Sequence, residues 1–126
     1  MAALSTPLKL TAAFAVATGL MNLVAGVGWL KIITGVPLPV QSRAAVFADS
    51  QLRFFGAIWA GYGAMLWWAS NDVRGRRVPL AILACTMAVS GLGRTISGIV
   101  HGFSSPFTAT FPAIELLAPS ALWYFS

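Results

Sequence analysis

Apolar residues run through this chain in long blocks, and formal charges mark where the blocks end. Between Lys9 and Lys31 stand 21 uncharged residues, LTAAFAVATGLMNLVAGVGWL. A helix needs about 20 residues to cross a hydrocarbon core of about 30 Å, so this block predicts a membrane span over about residues 9–31. After Arg53 the run FFGAIWAGYGAMLWWASN reaches Asp72 and predicts a second span over about 53–71. The short basic turn NDVRGRRVP then sets Pro79 near the start of a third span, about 78–101, where proline is tolerated. The 11 residues after Glu115 are too few to cross alone, so the fourth span covers about 107–126 and contains Glu115. Ala15 and Ala17 form an A-x-A spacing, but the apolar run continues past them and is too long for a signal-peptide core. The pattern gives an all-α fold: a single domain over 1–126, a polytopic membrane protein built as a four-transmembrane-helix bundle.

Composition sharpens this reading. The chain is 58% hydrophobic and 9% charged, where soluble domains carry about a quarter charged residues, and that excludes the soluble class. A net charge of +5 does not indicate nucleic acid, because the basic residues flank apolar runs instead of clustering with aromatics on a polar surface. They read as topology signals. Arg74, Arg76 and Arg77 form the densest basic turn, and the excess of Lys and Arg on cytoplasmic loops places both termini in the cytoplasm. Lys9 agrees with this orientation; Lys31 and Arg43, in the first outer loop, oppose it. That loop, TGVPLPVQSRAAVFADSQ, carries two prolines and is expected to lie along the outer surface, with a short interfacial helix at its end. Trp67 and Trp68 suit an interfacial belt. Cys85 stands alone inside an apolar run, and with one histidine in the chain no metal site and no cofactor is expected.

The chemistry-bearing residues gather at one depth. Counting about 1.5 Å per residue from the outer ends, Arg53, Arg94 and Glu115 reach a similar level of the outer leaflet. Thr86, Ser90, Arg94, Ser97 and His101 share one stripe of the third span at helical spacing. Arg53, Gly56, Ala60, Gly63 and Trp67 share a mostly small face of the second, and Ala15, Gly19, Asn22 and Gly26 a comparable face of the first. Small residues mark where helices approach in a membrane, so Arg53 points inward and Asn22 is placed to hydrogen-bond across helices. Asp49 and Arg53, four apart, can pair, which leaves Glu115 for Arg94. An unpaired charge costs at least about 2.5–3.5 kcal/mol at a helix centre, so mutual neutralisation is the cheapest arrangement. Pro119 removes the N–H that would bond the Glu115 carbonyl, which predicts a kink beside the cluster.

The segments DSQLRFFGAIWAGYGAMLWWA, GLGRTISGIVHG and FPAIELLAPSALW, with their spacings, resemble a bacterial family of small four-helix membrane proteins known as a domain of unknown function. The matching features fall on Asp49, Arg53, Phe54, Gly91, Arg94, Glu115 and Pro119, and the likeness is strongest over residues 45–126. The resemblance implies a four-helix membrane fold in a bacterial inner membrane and a shared polar cluster, and it brings no activity. Asn22 and His101 lie outside the matching pattern and enter by position alone.

The expected role is therefore non-catalytic. The cluster of Asp49, Arg53, Arg94, Glu115, His101 and Asn22 either binds a membrane lipid or small amphiphile, since two arginines can grip a phosphate or carboxylate, or it clamps the helices of an accessory subunit. That subunit would serve a larger membrane complex, with a membrane-protein partner or a second copy. A small oligomeric transporter or channel is one alternative, although it calls for ionisable groups spread through the bilayer. A membrane enzyme acting on lipid, with Glu115 or His101 as acid or base, is the other.

Overall fold

The computed structural model describes residues 2–36 and 42–125. Pro37 and Pro39 of the first connection lie outside the described residues. The fold is all-helical over these residues, with five helices: α1 (Ala2–Ala25), α2 (Val27–Thr34), α3 (Arg43–Ser70), α4 (Arg77–His101) and α5 (Pro106–Phe125). The expected first span is thus divided in two. Gly26 separates α1 from α2 with φ +52°, a left-handed value open to glycine and strained for other residues.

Local chemistry sets the remaining ends. The Ser42 hydroxyl accepts the Ala45 N–H at 3.1 Å, a side-chain cap that starts α3 ahead of Asp49. No separate short helix stands at the end of the connection: those residues are the opening turns of α3. Gly35, at φ +71°, closes α2 by donating its N–H to the Lys31 carbonyl. At the head of α5, Pro106 occupies the first helical position. Ser105 and Thr108 cap that end reciprocally, each hydroxyl accepting the other residue's N–H at 3.1–3.2 Å. The helix then continues through Pro112 and Pro119.

Two helices, Leu4–Ala25 and Arg77–His101, are long and apolar enough to cross a membrane by length and composition. Leu66, Val73, Leu80 and Leu83 are buried, yet many other large apolar side chains are exposed. The buried apolar positions include Ala12, Ala15, Ala45 and Ala69, whereas Ile99 is 79% exposed and Val24 76%.

The chain divides into two compact units. In the unit Thr6–Trp68, α1 and α3 run antiparallel with their backbones in close approach. A Cβ at Gly63 would sit 2.7 Å from the Ala12 carbonyl oxygen, and one at Gly19 would sit 2.6 Å from that of Gly56. The small-residue faces read from the sequence are the faces in contact. The Trp59 indole donates to the Thr18 hydroxyl at 2.9 Å, and the Lys9 ammonium lies 5.7 Å from the Trp67 ring centre. In the other unit, Ala69–Ser126 with Met1–Ser5, α4 and α5 pair antiparallel through Gly91, where a Cβ would meet Glu115 and Leu116 at 3.0–3.2 Å. The basic turn is an Asx-type turn in which the Asp72 carboxylate accepts the Gly75 N–H at 2.9 Å.

Candidate functional site

The first ionisable pair lies at the break after α1. An unbroken helix would bond the Val27 N–H to the Leu23 carbonyl; here that N–H donates to Asp49 Oδ1 at 2.9 Å. The freed carbonyls of Leu23 and Val24 accept from Arg53 Nη1 at 3.0 and 2.9 Å. Arg53 Nε closes the circuit on Asp49 Oδ2 at 2.7 Å. The pair therefore replaces a missing rung of the helix ladder. Asp49, which precedes the expected second span, is held below the ordinary carboxylate range by the Arg53 hydrogen bond first and the Val27 N–H second. The sequence suggested the pair but not its backbone partners. The available signal was AGVG near the end of the first apolar block, two glycines where a continuous helix gains nothing from them.

The second pair joins α4 to α5. Arg94 Nε contacts Glu115 Oε1 at 3.0 Å, with the Arg94 side chain 56% exposed and that of Glu115 11%. The guanidinium carbon also lies 5.6 Å from the Phe111 ring centre. Gly91, one turn before Arg94, lets α5 come close enough to bring Glu115 under it. Glu115 thus fixes one edge of the guanidinium, and the two terminal nitrogens make no hydrogen bond among the described residues. Glu115 Oε2 is buried and makes no hydrogen bond among these residues.

The side chains of the other candidates make no hydrogen bond to these pairs among the described residues. His101 is exposed as the last residue of α4. Asn22 packs its Cβ toward Gly56, and its buried Oδ1 has no hydrogen-bond partner among the described residues, so the expected bond across helices is not formed. Pro119 lies one turn beyond Glu115 inside a helix that continues past it. Among the described residues no group of three or more His, Cys, Asp or Glu side chains could hold a metal ion.

The sequence profile of a family described as a domain of unknown function, DUF4345, matches residues 3–125. The chain belongs to this family. No curated protein and no solved structure matches the chain. Membership of DUF4345 spans both compact units, so the ladder-replacing pair and the Arg94–Glu115 pair fall within one family domain.

Proposed function

We propose that the chain is a non-catalytic, four-span protein of a bacterial inner membrane, with both termini cytoplasmic, that binds an anionic lipid or small amphiphile at Arg94. The observation that carries this reading is the Arg94 guanidinium: held at one edge by a buried carboxylate, exposed over half its surface, with neither terminal nitrogen hydrogen-bonded among the described residues. Planar guanidinium donors match phosphate and carboxylate oxygens in a paired geometry. Glu115 supplies the orientation, and its neutralising charge lowers the cost of keeping Arg94 at membrane depth.

Four crossings are supported by α1 and α4, which have the length and apolarity, and by the exposed Val, Ile, Leu and Phe side chains along α3 and α5 as well. In water such surfaces would associate; in lipid they are solvated. Asp49 and Arg53 take a structural part in this proposal, because their charged atoms are spent on the backbone at Gly26.

Native mass spectrometry of the protein released gently from its own membranes tests the site. A retained anionic lipid or amphiphile, with one bound equivalent lost in Arg94→Ala, is the expected result. A stoichiometric protein partner with no small ligand would overturn it, leaving Arg94–Glu115 as a helix clamp in an accessory subunit.

A further inference from the structure

At the other end of the α4–α5 pair lies a groove that the Arg94 site does not use. It encloses about 410 Å³ between the start of α4 and the end of α5, within the range of small-molecule sites. Leu80, Pro119 and Leu122 wall it, while Ala81 and Ala84 leave room on the α4 side. Among the described residues, Arg77 is the only charged side chain lining it. That guanidinium is exposed and has no partner among the described residues. Asp72, the acidic residue of the same turn, spends Oδ1 on the Gly75 N–H and makes no ion pair with Arg77 among the described residues.

Arg77 and Arg94 are 17 residues apart on one helix, about 25 Å at about 1.5 Å per residue. That separation approaches the roughly 30 Å of a hydrocarbon core. A chain crossing the bilayer along α4 would hold one arginine near each headgroup layer.

We infer that this groove binds an anionic glycerophospholipid, with an acyl chain along the apolar wall and the headgroup phosphate on Arg77. Charge complementarity selects this occupant. A peptide segment would bring backbone N–H and C=O groups into a groove whose lining gives them almost nothing to bond, at a cost per unsatisfied group. A second copy of the chain would bring its own net +5 charge toward a cationic mouth. An acyl chain has no polar groups to satisfy, and its phosphate supplies the charge that Arg77 lacks. Arg74, in the same turn, adds to the attraction.

The test is a native mass-spectrometric titration of the detergent-solubilised full chain with phosphatidylglycerol and phosphatidylcholine of the same acyl chains. It is run on the natural chain and in an Arg94→Ala background, which removes the contribution of the first site. In both, phosphatidylglycerol binds more tightly by about fivefold, the ratio expected for one basic residue at an anionic headgroup. In the Arg94→Ala background Arg77→Gln abolishes that preference, and because it alters an exposed side chain with no partner among the described residues it keeps the thermal midpoint. Ala84→Trp, which fills the groove, weakens both lipids. In the Arg94→Ala background, equal affinity for the two lipids would overturn the inference, as would a preference that survives Arg77→Gln. A concentration-dependent dimer lost in Ala84→Trp would also overturn it, by assigning the groove to a second copy. Loss of all lipid in Arg94→Ala contradicts this site alone; retention of the preference in that variant leaves this site standing whatever happens at Arg94.

Discussion

One rung of the α1 ladder is missing at Gly26, and two side chains from α3 stand in for it. Any residue other than glycine there must adopt φ near +52° and push a Cβ into the Asp49 carboxylate and toward Arg53 Nε. Gly26→Ala should therefore lower stability by about 1–3 kcal/mol from backbone strain alone. Gly28→Ala, two residues on and open on all sides, should be neutral or gain about 0.5–1 kcal/mol as a helix-interior change. Thermal unfolding in detergent separates the two. The same pair carries a pH signature. Because Asp49 is held below its ordinary value near 3.9, its contribution is complete above that value and is lost as pH falls through the lower, folded one. Acid unfolding followed below about pH 4 should show this slope, and Asp49→Asn should remove it. At the second pair, Arg94→Ala leaves a buried carboxylate without its cation and should cost about 1–3 kcal/mol. Arg74→Ala, in an exposed turn, should cost almost nothing. Equal thermal midpoints for these two variants would contradict the orienting role given to Glu115.

Between α1 and α3 the helices meet backbone to backbone, a contact that depends on missing side chains. A Cβ at Gly56 would lie 2.6 Å from the Gly19 carbonyl oxygen and 2.7 Å from the Leu23 nitrogen. Neither is the tip of a flexible side chain, so Gly56→Ala must separate the helices and should cost about 1–3 kcal/mol or more. Gly61→Ala, on the open side of α3, should leave the thermal midpoint within about 1 kcal/mol of the natural chain. These faces were legible in the sequence because small residues recur at helical spacing. So was the reach of α4, which the block from Val78 to His101 anticipated to within a residue. The division of the first block was not legible, because α2 begins where Asp49, 22 positions away, takes the Val27 N–H. No counting of uncharged residues can register such a partner. The pairings of Arg53 and Arg94 followed from charge balance, whereas the backbone carbonyls that Arg53 holds became visible only with the helix break.

Across the molecule, alanine and glycine share the helix contacts with Leu66, Val73, Leu80 and Leu83, and many isoleucine, valine and phenylalanine side chains face outward. This distribution underlies the proposal of four crossings. Among the described residues, two of the five helices have the length and apolarity by themselves; α3 begins with charged turns, and α5 carries Glu115 and three prolines within 20 residues. The four-span account puts Arg77 and Arg94 in opposite leaflets, with the 71–76 turn on one side and the 102–105 connection on the other. Site-directed thiol labelling of intact cells tests this most directly. With Cys85→Ala as background, single substitutions Arg74→Cys and Ser104→Cys are exposed to a membrane-impermeant maleimide before and after permeabilisation. The account predicts that Ser104→Cys is labelled in intact cells and Arg74→Cys only once the membrane is opened. Labelling of both positions from the same side would contradict it.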